Sequence, residues 1–123
     1  MIKQSIAIVG LGRIGSAFLG AMQNKQNINL VCVAERADTP AKLQAISAGI
    51  MIASLDEIVG MSEVIDIIFD LTGIPEVRKE LREKLHATNN THTVIAPESI
   101  VHLVWSLLSD EALPVIEGRM TGY

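Results

Sequence analysis

The sequence predicts an α/β protein: a doubly wound parallel sheet of about five strands with helices on both faces. Two observations predict it. Apolar runs of strand length alternate with segments of helical period in the order of βαβ units. Five such strands with intervening helices, connected by short turns, imply a right-handed, doubly wound parallel sheet.

Taken in order, residues 5–9 form a β-rich run that ends in glycine. From Arg13 onward, Ile14, Ala17, Phe18, Ala21 and Met22 recur at the spacing of one helix face. Residues 28–35 ("INLVCVAE") read as a buried second strand. Asp38 or Thr39 then caps a helix with Pro40 at its first position, stopped at Gly49. Residues 50–53 give a short third strand, and Ser54 and Glu57 have capping-box spacing ahead of a short helix that Gly60 can end. The fourth strand is expected over 63–73, "EVIDIIFDLTG". Pro75 opens a helix with Val77, Leu81 and Leu85 on one line. Residues 92–96 give the fifth strand, and a last helix is expected over 98–111. Only the tail "LPVIEGRMTGY" takes no assignment.

A chain of 123 residues has the size of one domain, taken here as 1–123, with no room for a second, substrate-carrying one. Its hydrophobic content of 49% and charged content of 20% are those of a folded globular protein. A formal charge of −4 without a Lys/Arg cluster argues against nucleic acid or an anionic membrane surface as partner. Cys32 has no second cysteine to pair with and reads as a small buried hydrophobe. The N-terminus lacks a small-residue cleavage site, and no apolar run has the length of a membrane span, so a cytoplasmic protein is expected.

Gly10, Gly12 and Gly15 fit G-x-G-x-x-G between the first strand and the first helix. On that turn, helix amides and the positive end of the helix dipole meet a pyrophosphate. Gly10 permits the tight turn, Gly12 lets backbone approach the phosphates, and Gly15 lets helix and strand pack closely. Arg13 and Ile14 lie inside the pattern and join the candidate cofactor-binding set. Glu35, 20 residues after Gly15 at the end of the second strand, has the place of the acid that binds the adenosine ribose. A carboxylate there repels a 2′-phosphate and favours NAD, whereas the adjacent Arg36 offers a partner for that phosphate, so NADP stays possible. In "DLTGIPEV", Thr72 and Gly73 are expected beside the nicotinamide-side ribose, with Ile74 and Pro75 beneath the ring. Asp70, within the apolar strand, either points into the crevice or caps a nearby turn, and the structural role is the first reading. Val9 and Leu11 are either core or dinucleotide contacts.

"GLGRIG", "VAER" and "DLTGIPEV" resemble the N-terminal Rossmann cofactor domain of two-domain oxidoreductases: the glucose-fructose oxidoreductase and inositol dehydrogenase family, homoserine dehydrogenase and dihydrodipicolinate reductase. "VAER" looks like the last, whose acid-arginine pair accepts both cofactors. The resemblance breaks at the fifth strand, where "VIAPES" stands in place of a Glu-Lys-Pro signature and no lysine follows Lys84. "DLTGIPEVRKEL" and "SIVHLVWSLLSDE" are similar to Rossmann modules at the front of bacterial sensor proteins, including histidine kinases; that resemblance implies a dinucleotide-binding regulatory module.

No catalytic set stands out. His86, His92 and His102 lack a metal-site arrangement, and His102 with Glu98 reads as a helix-surface pair. The reading is therefore an NAD(H)-binding domain without its own catalytic apparatus, with an oxidoreductase or the cofactor half of one as the alternative. Ile100, Val101, Leu103, Val104, Trp105, Leu107 and Leu108 cover too wide an arc for one buried stripe. Either the 98–111 helix forms a homodimer contact, or Leu113, Val115 and Ile116 of the tail fold over it.

Overall fold

The computed structural model describes residues 3–113. Five parallel strands lie in the order β3-β2-β1-β4-β5: β1 (Gln4–Val9), β2 (Ile28–Ala34), β3 (Met51–Ile52), β4 (Ile67–Asp70) and β5 (Val94–Ile95). Central β1 pairs with β2 from Gln4↔Ile28 to Val9↔Ala34, and with β4 from Ile6↔Ile67 to Val9↔Asp70. The chain builds outward from β1 to β3 and then crosses back to place β4 on the other side of β1. That reversal opens a crevice beyond the carboxyl ends of β1 and β4, where doubly wound sheets hold ligands.

The two-residue period of the strands divides the core into two layers. Ile6, Ile8, Val33 and Phe69 face α1 (Arg13–Met22), α2 (Pro40–Ser47) and α5 (Glu98–Leu108). Ala7, Val9, Cys32, Ala34 and Ile68 face α3 (Leu55–Gly60) and α4 (Pro75–Ala87). Phe18 of α1 joins the first layer together: its ring centroid lies 5.7 Å from Phe69 and 5.2 Å from Trp105. Helix starts follow the expected chemistry. Thr39 caps α2, with its side chain accepting from the Lys42 N–H, and Ser54 with Glu57 forms a complete capping box on α3.

Three elements are shorter than their sequence patterns. The fourth strand is only Ile67–Asp70: its ladder with β1 starts at Ile6↔Ile67, preceded by the Asp66 N–H donating to the Ser5 carbonyl, and residues Ser62–Val64 wind instead into a single 3₁₀ turn. The fifth is only Val94–Ile95, since the Asn90 side chain captures the His92 and Thr93 amides ahead of it. The last helix ends at Leu108 rather than 111. Ser109 is extended and its hydroxyl accepts from the Glu111 N–H, while the Trp105 indole N–H donates to the Glu111 carbonyl at 2.8 Å.

The apolar arc of α5 is divided. Val101 and Trp105 belong to the core, whereas Ile100, Leu103 and Leu107 are exposed. Leu113 packs against the first layer; Val115 and Ile116 lie outside the described residues.

Candidate functional site

The glycine-rich turn has the geometry each glycine implies. Gly10 takes a φ of 93°, and a Cβ on it would stand 2.9 Å from Thr72 Cγ2, so the first turn and the end of β4 touch there. A Cβ on Gly15 would stand 1.8 Å from the Gly10 carbonyl oxygen, which fixes α1 directly against the turn. Gly12 differs from both. It is the N-cap of α1 with an ordinary φ of −75°, no side chain caps the helix, and nothing lies within 4 Å of where its Cβ would be. The N-terminal amides of α1 therefore open onto free space, as an anion cradle requires.

Glu35, just past β2, reaches this turn. One carboxylate oxygen accepts from the Leu11 N–H at 2.9 Å and the other from the Ala37 N–H at 3.3 Å. The carboxylate is thus held in place by backbone from both loops. On the far side of Gly10, Asp70 is buried at the end of β4 and accepts from the Thr72 N–H and, at 2.7 Å, from the Thr72 hydroxyl. The structural role expected for Asp70 is the one observed.

A cleft of about 520 Å³ runs along these groups. It brings together Gly10, Glu35, Arg36 and Thr72 of the expected set, with Val9 and Ile74. Gly12, Arg13 and Gly73 are not among its lining residues, and Ile14 is wholly buried in the first core layer, which leaves its backbone amide as the only group it can offer. Leu11 is likewise core.

The rest of the cleft comes from residues the motifs did not indicate. Ile52, Ala53 and Leu55 at the end of β3, with Val77 of α4, give it an apolar wall, and Asp56, Glu57 and Glu80 add carboxylates. Ser54 was visible as a helix cap, and a cap at the carboxyl end of a neighbouring strand is the signal that places this loop beside Glu35. Lys84 ties the two helices at the rim, donating to Asp56 at 2.6 Å; that hydrogen bond raises the pKa of its ammonium. Arg78 was also missed. It lies beneath the site, 3.4 Å from the Asp70 carboxylate and donating to the Asp70 carbonyl at 3.2 Å.

Other titratable groups stand apart. Cys32 is wholly buried, and desolvation pushes its thiol up to about 11, so it is the inert hydrophobe expected. Glu98 and His102 are 4.0 Å apart on α5. Among the described residues, no three His, Cys, Asp or Glu side chains are placed to hold a metal ion, and no helix is long and apolar enough to cross a membrane.

Residues 5–97 match the family model described as NADP oxidoreductase, coenzyme F420-dependent. The chain belongs to this family. The match runs from β1 through β5 and includes every residue of the site described above. No curated protein matches the chain. Among solved structures it is similar to scyllo-inositol dehydrogenase from Lactobacillus casei with bound NAD(H) and scyllo-inositol, at 19% identity and a TM-score of 0.56 over 85% of this chain and 33% of that one. An NAD-binding protein from Listeria innocua has 21% identity and a TM-score of 0.56 over 86% and 33% of the two chains. Homoserine dehydrogenase from S. aureus has 24% identity and a TM-score of 0.55 over 89% and 30%. At these identities the likeness is one of fold, and this member of the F420-dependent NADP oxidoreductase family spans about a third of the length of those structures. Family and fold together make it a Rossmann domain of the dinucleotide-binding kind that NAD(P)-dependent oxidoreductases carry.

Proposed function

We propose that the chain binds NAD(H) across this cleft and acts as a cytoplasmic regulatory module that reads the dinucleotide without transferring hydride itself. The observation that carries the binding reading is the Glu35 carboxylate held on the Leu11 amide, which puts the acid of β2 and the glycine-rich turn on one ligand path. The residues fit the group. Space is open above Gly12 for a pyrophosphate, the apolar wall of Ile52, Leu55 and Val77 suits an adenine, and Glu35 has acceptor capacity left for ribose hydroxyls. Arg13, Ile14 and Gly15 contribute the first-turn amides of α1, Arg36 flanks the ribose, and Thr72 with Gly73 receives the nicotinamide half. A bound nicotinamide supplies a site that gives or accepts hydride. Regulation without turnover is supported by the lining of the cleft, which among the described residues holds no lysine, histidine or cysteine to work on a substrate beside that ring.

NAD is favoured over NADP by charge. Glu35, Asp56, Glu57 and Glu80 line the cleft with Arg36, and Lys84 at the rim pairs with Asp56 and Glu80, so carboxylates remain in excess and disfavour a further phosphate. Titration with NADH, followed by nicotinamide fluorescence, should show saturable binding, and NADP should bind more weakly than NAD. Tighter binding of NADP would assign the ribose end to Arg36 and reverse this preference.

A second reading is favoured by the family itself: the chain as an NADP-dependent oxidoreductase, or as the cofactor half of one. Incubation with NADPH and oxidised coenzyme F420 tests it: hydride transfer establishes the oxidoreductase and overturns regulation without turnover. Homodimerisation through the 98–111 region rests on exposed Ile100, Leu103 and Leu107 of α5. Sedimentation should show a dimer that Leu107→Glu dissociates; a wild-type monomer at high concentration removes it. Trp105 does not test this contact, because its ring packs on Phe18 inside the core.

A further inference from the structure

The end of β4 holds an ion pair that the ligand path does not touch. Asp70 is 1% exposed, and its carboxylate serves two masters: one oxygen accepts from the Thr72 N–H at 3.2 Å and the Thr72 hydroxyl at 2.7 Å, while the other faces Arg78 Nε at 3.4 Å. Arg78, in the first turns of α4, also donates from Nη2 to the Asp70 carbonyl at 3.2 Å. The Thr72 hydroxyl in turn accepts from the Ile74 N–H at 3.1 Å, so it is fixed at both ends. The result is a turn whose side chains are set from below, with the Thr72 methyl 2.9 Å from where a Gly10 Cβ would be.

A buried ion pair stabilises a fold poorly compared with apolar residues of the same volume. What it supplies is geometry. A carboxylate that accepts from both the amide and the hydroxyl of the residue two positions on, and that a guanidinium holds in turn, permits one orientation of that turn. We propose that Asp70 and Arg78 are positioning residues that fix the 72–74 turn against the glycine-rich loop, and so set affinity for the nicotinamide half of the dinucleotide rather than for its adenosine half. This rests on the dinucleotide reading above. The adenosine half meets Glu35 and the β3–α3 loop on the β2–β3 side of the glycine-rich turn, whereas Asp70 and Arg78 hold the 72–74 turn on the β4 side.

The test compares NADH with ADP, which lacks the nicotinamide nucleoside, as ligands of the whole chain by calorimetry. Loss of one charge-assisted positioning contact predicts that Arg78→Ala weakens NADH roughly tenfold while ADP changes by less than about twofold. Arg78→Lys should fall between, since an ammonium reaches one acceptor where the guanidinium fork reaches two. Asp70→Asn keeps the side chain's shape and should give the same selective loss, and it carries the comparison if Arg78→Ala does not fold. A merely structural pair would lower the melting temperature and leave the NADH-to-ADP ratio where it was. Parallel weakening of both ligands, or unchanged NADH affinity, overturns the proposal while leaving the dinucleotide reading intact. Wild-type protein that binds neither ligand overturns that reading, and the proposal with it.

Discussion

Gly12→Asp is expected to stabilise the fold and abolish dinucleotide binding at the same time. The backbone at this position has an ordinary φ of −75° and a Cβ there meets nothing within 4 Å, so no strain opposes the side chain. Gly12 is the N-cap of α1, which has no acidic residue in its first turn. An aspartate there accepts from first-turn amides and faces the positive end of the helix dipole, contributions of about 0.5 kcal/mol together over glycine. For a domain of this size that raises the melting temperature by about 2 °C. The same carboxylate occupies the pyrophosphate's place. Two like charges about 4 Å apart near a protein surface repel by about 4 kcal/mol, which weakens binding about a thousandfold. Thermal unfolding and NADH fluorescence titration on one preparation read both effects. Destabilisation by more than about 1 kcal/mol, or NADH affinity within about tenfold of wild type, would refute the reasoning.

Gly15→Ala has the opposite signature, because its Cβ would overlap the Gly10 carbonyl oxygen at 1.8 Å, a backbone group that cannot swing aside; urea unfolding should show a loss of ~3 kcal/mol or more. Glu35→Gln retains an acceptor for the Leu11 amide and therefore the fold, yet should lose about 1 to 3 kcal/mol of NAD binding and narrow the gap to NADP. Competition titration with both cofactors checks it, and an unchanged ratio counts against the ribose assignment. Asp66 is held below its usual pKa by the Ser5 N–H it accepts and then by His92 at 2.7 Å. A carboxyl with a depressed folded pKa contributes stability above about pH 4 that disappears as pH falls through the folded value, so Asp66→Asn should flatten the acid limb of the stability curve. An unaltered acid limb would show that the pair contributes nothing.

Most of the architecture was legible because it rests on local chemistry. The Thr39 cap with Pro40, the Ser54–Glu57 capping box and the contact of Gly15 with the Gly10 carbonyl each satisfy requirements within a few residues of themselves. Strand ends were legible only in part, since a parallel strand stops where its neighbour stops. Val64 and Ile65 continue the apolar pattern, yet the β1–β4 ladder starts only at Ile6↔Ile67. The α5 terminus depended on a side-chain capture, the Trp105 indole on the Glu111 carbonyl six residues on, that periodicity does not encode. In the site, the glycine turn and Glu35 were visible because their spacing along the chain is set by one βαβ unit, β1–α1–β2. Arg78 was not. Its partner Asp70 lies across the β4–α4 turn, and an arginine in a helix's first turns reads from sequence as a solvated charge.

The central claim is that the glycine turn, Glu35 and the 72–73 turn form one dinucleotide site. Backbone amide NMR during titration of the wild-type chain with NAD tests it most directly. Saturable shifts at Leu11, Gly12, Arg13, Glu35, Thr72 and Gly73, fitting one dissociation constant, are the predicted result. Absence of shifts at the glycine turn, or shifts confined to the exposed α5 face at Leu103 and Leu107, would contradict it.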